Sequence, residues 1–279
     1  MTARFARLAV IAVLVAFWAS AHYWSKPERS QAKLDALARV QIKTYAFTQA
    51  GNNRMDYGLL VPTAYSSNRE TPLIVALHGA GSGIHYMMEY GNLIELAERY
   101  GYIVATPMGF NEQGWYGARG PGNDFNERRA DPGPANLGEL SEQDVLNVLH
   151  EVRNAFNVDS HRVYLIGQSM GGGGTYWVAS RTPQTWAALA VMAPAVAPKG
   201  EQPYITPAIL SKLAHLPIMV IQGDSDQAVE VTGTRAWVAA MTSLEMSYEY
   251  IEVPGGTHAS AGRANVDKIF AFLAKHRKS

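Results

Sequence analysis

Arg162-Val163-Tyr164-Leu165-Ile166-Gly167-Gln168-Ser169-Met170-Gly171 carries a mostly apolar run straight into a G-x-S-x-G pentapeptide, and Thr175-Tyr176-Trp177-Val178-Ala179 then opens a helical pattern. Strand, G-x-S-x-G, helix is the pattern of a nucleophile elbow. The turn is so sharp that its serine is held strained, with the hydroxyl exposed above the sheet. Two places either side of Ser169 only small residues tolerate the crowding, so Gly167 and Gly171 are physical requirements of the turn. The run from Gly171 to Gly174 costs a helix about 1 kcal/mol per residue against alanine. A helix start that accepts this cost points to close backbone approach there.

Outward from this stretch, short apolar strands alternate with longer helical segments. Val40 to Phe47 and Met55 to Val61 alternate in the strand manner and read as an opening antiparallel pair. Leu73 to Leu77, Tyr102 to Ala105, Arg162 to Ile166, Ala188 to Met192, Ile218 to Ile221 and Tyr248 to Val253 supply six further strands. Continuous apolar runs such as Leu73-Ile74-Val75-Ala76-Leu77 suit strands covered on both faces. Helices are expected over Leu93 to Tyr100, stopped by Gly101, and over Ser141 to Phe156, with Ser141 as N-cap and Asp144 returning a bond to it. Two more are expected over Thr232 to Thr242 and Ala264 to His276. The fold class is therefore α/β, a mainly parallel eight-stranded sheet with helices on both faces. The short spacing between Met192 and Ile218 leaves no room for a large cap domain, which predicts an open site. Residues 108 to 138 are rich in Gly, Pro, Asn and Trp, and long irregular loops inside compact domains are usually functional.

A serine hydroxyl is a poor nucleophile near neutral pH and needs a neighbouring base, itself oriented by an acid. On this architecture the chain order is nucleophile, acid, histidine. Past Ile221, Gly223-Asp224-Ser225-Asp226-Gln227-Ala228-Val229 offers two aspartates. Asp226 lies deeper in the turn and is favoured as the acid, while Asp224 suits a cap on the turn's own backbone. Past Val253, Pro254-Gly255-Gly256-Thr257-His258 places His258 five residues beyond the strand as the base. His85 remains a candidate for lining the site. A tetrahedral intermediate needs two N–H donors, assigned to the backbone of Met170 and, in His78-Gly79-Ala80-Gly81-Ser82, of Ala80; His78 reads as a structural hydrogen-bonding group. Trp115 and Tyr116 are expected to line a substrate pocket. Arg119, Arg128 and Arg129 read mainly as a solvated face.

These residues resemble the α/β-hydrolase superfamily over roughly residues 40 to 276. Within it the chain is similar to exported esterases related to polyhydroxybutyrate depolymerases, feruloyl esterases and the catalytic domain of prolyl oligopeptidases. Leu77-His78-Gly79-Ala80-Gly81, Gly101 to Gly109 and Val158 to Gly172 carry the likeness. The resemblance implies an α/β-hydrolase fold, Ser169 as nucleophile, Asp226 as acid, His258 as base, and hydrolysis of a small-molecule ester through an acyl-enzyme. A peptidase acting on short peptides and a non-catalytic binding protein on the same scaffold are the alternatives. The chain departs from disulfide-bearing depolymerases in having no cysteine, so action on solid polymer is not expected.

Composition sets the remaining bounds. The 279 residues are 47% hydrophobic and 17% charged, with no net charge. That is an ordinary globular balance, without the basic patch of a nucleic-acid binder. No cofactor is implied, and no His/carboxylate cluster has metal-ligand spacing. Residues 1–21 read as a signal peptide, with Arg4 and Arg7 as the basic region, Leu8 to Ala19 as the apolar run and Ala19-Ser20-Ala21 as the cleavage site. An uncleaved anchor is the alternative. Residues 22–39 then form a linker or short helix, and residues 40–279 the catalytic domain. A periplasmic or secreted location, with no stable membrane association after cleavage, is the expectation.

Overall fold

The alternating strands assemble into one eight-stranded sheet in a computed structural model that describes residues 30–123, 132–196 and 205–278. The strands are β1 (Gln41–Phe47), β2 (Asn53–Leu60), β3 (Thr71–Leu77), β4 (Ile103–Pro107), β5 (Val158–Gln168), β6 (Ala188–Met192), β7 (Ile218–Gly223) and β8 (Tyr248–Val253). Their order in the sheet is β1-β2-β4-β3-β5-β6-β7-β8. β2 runs antiparallel to both of its neighbours, and the other pairings are parallel. This is the α/β-hydrolase architecture.

The two-residue period of a strand explains why the central runs are apolar throughout. In β3, Leu73, Val75 and Leu77 join the core on one face, while Ile74 and Ala76 join the core on the other. β5 divides in the same way, with Val163 and Leu165 on the first face and Tyr164 and Ile166 on the second. The first face is covered by helices at Leu137–Ala155 (α4), Met170–Arg181 (α5) and Val231–Ser243 (α6). The second is covered by Ile84–Met88 (α2), Leu93–Tyr100 (α3) and Val266–Leu273 (α8), with the single turn Ser260–Arg263 (α7) before α8. α3 stops where expected, because Gly101 takes a left-handed φ of 74° and its amide returns to the Ala97 carbonyl.

The stretch before residue 40 takes the short-helix form of the two expected, and two helix boundaries differ from the sequence reading. Gln31–Leu37 is a helix (α1) capped by Ser30, whose hydroxyl accepts from the Lys33 amide and donates to Glu95 Oε1 at 2.6 Å. Lys33 Nζ also reaches the carbonyls of Glu89 and Gly91, so this stretch is docked against the segment around α3. α4 starts at Leu137, four residues before Ser141, which places Ser141 and Asp144 inside the helix rather than at its cap. The last helix runs over Val266–Leu273, inside the expected Ala264 to His276, and the Asn265 side chain, between it and the preceding turn α7, donates to the Ala261 carbonyl at 2.7 Å.

Register fixes where the loops meet. Leu77 pairs with Gly167, Gln168 with Met192, and Gly223 with Val253. The loops after β3, β5, β7 and β8 therefore leave the sheet along one edge, at the carboxyl ends of the strands, where ligands bind in open α/β sheets.

Candidate active site

Ser169 follows the last residue of β5 and takes φ 57° and ψ −118°, a combination that costs a side-chain-bearing residue of order 1–3 kcal/mol. The surroundings hold it there. Its amide donates to the Met192 carbonyl at 2.9 Å, and its carbonyl accepts from Gly172, Gly173 and Ala195. The two motif glycines are required by contact. A Cβ on Gly167 would lie 2.1 Å from the Gly171 carbonyl oxygen, and one on Gly171 would lie 2.3 Å from the Leu77 carbonyl oxygen. Farther along α5, a Cβ on Gly174 would strike the Tyr116 ring at 2.5 Å. The glycine run lets the helix start wedge between neighbouring loops.

The loop after β7 carries Asp226 and the loop after β8 carries His258. They meet because Gly223 has no side chain: a Cβ there would lie 2.1 Å from the Gly256 carbonyl oxygen. His258 Nδ1–H donates to Asp226 Oδ2 at 2.8 Å. The Asp226 side chain is fully buried and its four acceptor contacts are filled. Oδ2 also accepts from Gln222 Nε2 at 3.0 Å, and Oδ1 accepts from the amides of Ala228 and Val229, both at 2.9 Å. Gln222 is itself buried and held by Thr234, whose hydroxyl donates to its Oε1 at 3.0 Å. Asp224 is exposed and clasps the two loops instead, accepting from the Gly255 amide at 2.7 Å and the Ser225 hydroxyl.

A carboxylate accepts only, so the imidazole proton sits on Nδ1 and the lone pair on Nε2. That lone pair faces Gln168, whose Nε2 stands 3.2 Å away. Ser169 is the next residue along the chain. Its hydroxyl makes no hydrogen bond among the described residues, and the geometry thus joins Asp226 to His258 directly and Ser169 to neither. Nucleophile–base contacts in unliganded sites are often long and tighten when substrate arrives.

On the other side of Ser169 lies the loop after β3. A Cβ on Gly79 would stand 3.4 Å from the Ser169 Cβ, so the backbone there passes against Ser169. Ala80 is exposed, and neither its amide nor that of Met170 has a partner among the described residues. Met170 opens α5, where the helix dipole favours negative charge. His78 is buried, with Nε2 and Nδ1 each 2.8 Å from a carbonyl, of Met108 and Gly79. Burial holds its imidazole below the usual histidine range, against the opposing pull of the two carbonyls. His85 is exposed on α2.

Tyr116 does not line an open pocket. It is fully buried, its hydroxyl accepts from the His78 amide at 3.0 Å, and its own amide donates to Ser141 Oγ at 2.9 Å. It braces the loop after β3 from beneath. Asp144 grips the same long loop by accepting from the amides of Gly109 and Phe110 and from the Tyr45 hydroxyl. Desolvation pushes the Asp144 carboxyl up to about 6 despite these donors. This pairing of Ser141 and Asp144 with the loop, rather than with a helix cap, was hidden in the sequence because their partners lie 25 to 35 residues away. Trp115 is half-buried at φ 55°, with the Arg119 guanidinium 4.6 Å above its ring. Arg128 and Arg129 lie outside the described residues. Among the described residues no group of three His, Asp or Glu side chains is placed to hold a metal ion.

Residues 48–265 match the Esterase family model, described as "Putative esterase". A bifunctional acetylxylan esterase/xylanase, XynS20E of Neocallimastix patriciarum, is 26% identical over 135 residues, 48% of this chain and 17% of that protein. Dipeptidyl-peptidase 5 of Porphyromonas gingivalis is 26% identical over 161 residues, 57% of this chain and 22% of that one. The chain thus spans less than a quarter of the length of either relative. Among solved structures, a thermostable esterase superposes with a TM-score of 0.67 at 20% identity, over 87% of this chain and 64% of that one, a likeness of fold.

Proposed function

This chain belongs to the Esterase family, and from that premise we propose that it is a serine hydrolase that cleaves small carboxylic esters through an acyl-enzyme. The observation that carries the reading is the Asp226–His258 hydrogen bond standing one residue from a serine in a strained strand-to-helix turn. Ser169 Oγ attacks the ester carbonyl, and His258 Nε2 takes the hydroxyl proton as the C–O bond forms. Asp226 keeps the imidazole in the tautomer that can accept it. The amides of Met170 and Ala80, which have no partner among the described residues, receive the developing oxyanion, and each such donor is worth about 100- to 1,000-fold in rate. The tetrahedral intermediate expels the alcohol, which takes the proton back from His258. Water, activated by the same base, then releases the acid.

Peptide hydrolysis is the second reading, favoured by the similarity to dipeptidyl-peptidase 5. Aryl esters of graded acyl length, assayed beside peptide amides, separate the two. The proposal expects ester turnover to dominate and Ser169→Ala to remove it with the fold retained. Amide turnover exceeding ester turnover would replace it with the peptidase reading.

Export is part of the proposal and rests on the tripartite pattern of residues 1–21. Expression in a Gram-negative host should yield a mature N-terminus at His22 in the periplasm or medium. An intact Met1 in the membrane fraction would favour the anchor instead.

A further inference from the structure

Gln168 fills the first variable position of the pentapeptide, where the turn itself demands no particular side chain. It is 2% exposed, and among the described residues its side-chain amide makes one hydrogen bond, to the base. The fit is shaped from both sides. Gln168 Oε1 occupies the place a Cβ on residue 79 would need, 2.5 Å from that position, so Gly79 opens the slot that holds the amide. At the other end Nε2–H meets the only thing a neutral, Asp226-bound imidazole presents there, the Nε2 lone pair. A protonated ring would turn an N–H toward that same N–H.

We propose that Gln168 is a positioning residue that holds His258 in the neutral, Nδ1–H form and competes with the Ser169 hydroxyl for its lone pair. The base is parked on the amide until the hydroxyl displaces it, and charging the ring requires the amide to release it or to turn its oxygen inward. This inference rests on the serine-hydrolase reading.

Two variants of near-equal shape test it. Gln168→Met removes the donor, and Gln168→Glu replaces it with an acceptor that favours the charged ring. The measurements are the pH profile of kcat/KM on an aryl ester and of fluorophosphonate labelling rate, with near-UV circular dichroism as the check on fold. Loss of one hydrogen bond to the neutral form should move the acidic limb of Gln168→Met to higher pH by about 0.5 to 1 unit. Gln168→Glu should move it further, an order that mere packing would not produce. Folded variants whose limbs stay within about 0.2 unit of wild type would overturn the proposal. Should the variants not fold, the wild-type imidazole nitrogen resonances decide. A scalar coupling across the hydrogen bond between His258 Nε2 and the Gln168 side-chain nitrogen supports the proposal, and its absence at neutral pH overturns it. Wild-type protein inert to both ester and probe would instead sink the hydrolase reading beneath it.

Discussion

Replacing Asp226 by Asn tests the proposed acid with an outcome that follows from the hydrogen bonds around it. The carboxylate serves four donors: Oδ2 takes His258 Nδ1–H and Gln222 Nε2–H, and Oδ1 takes the amides of Ala228 and Val229. An amide has one oxygen and one NH2 group, so it satisfies only one side. The loop amides are fixed by the backbone and claim the oxygen. The NH2 group then faces Nδ1, and the conflict is relieved by moving the imidazole proton to Nε2. That removes the lone pair needed to accept the Ser169 proton. A wrong tautomer of this kind costs about 10,000-fold in kcat, equivalent to about 5.5 kcal/mol of barrier. Steady-state kinetics on an aryl ester reads the loss, and thermal unfolding checks that the loop is intact. Asp224→Asn is the control. Asp224 is exposed, and among the described residues its side chain bonds only the Gly255 amide and the Ser225 hydroxyl, so its variant should keep rates within about threefold. Asp226→Asn retaining more than about a tenth of kcat/KM with an unchanged melting point would refute the reasoning, as would Asp224→Asn being the damaging change.

Three further outcomes follow from the supports of the site. Tyr116→Phe leaves the buried His78 amide without its acceptor, which should cost about 1–3 kcal/mol in urea unfolding and lower kcat more than it changes KM. Asp144 titrates near 6 in the folded protein against an ordinary 3.8, so its contribution to stability is fully present below about pH 4 and is lost as pH rises through 6. The loss amounts to roughly 3 kcal/mol, and unfolding of Asp144→Asn measured from pH 4 to 7 should lack that slope. Gly171→Ala drives a methyl to 2.3 Å from the Leu77 carbonyl oxygen, where only backbone can yield, and should destabilise by about 3 kcal/mol or more, read as insoluble or inactive protein.

Much of the fold was legible because it rests on local periodicity. The central strands are apolar on both faces, and their two-residue alternation divides them between the two cores. The elbow, too, is a local requirement, since Gly167 and Gly171 crowd one another across five residues. Asp226 and His258 could be placed by strand ends and chain order alone. Contacts between distant segments were not legible. Nothing local in Tyr116 distinguishes a ring lining a pocket from one buried beneath a loop, and its left-handed backbone is imposed by tertiary contacts. Ser141 resembles a helix cap, yet the helix begins four residues earlier and uses that hydroxyl to hold Tyr116. Gln168 carried no signal at all, because its meaning lies in a partner 90 residues away.

The central claim is that Ser169 is a nucleophile served by His258. Fluorophosphonate labelling followed by peptide mapping tests it most directly. One adduct on Ser169, abolished in a folded His258→Ala variant, is the predicted result. A folded wild-type chain that takes no adduct, or takes it on another residue, would contradict the account.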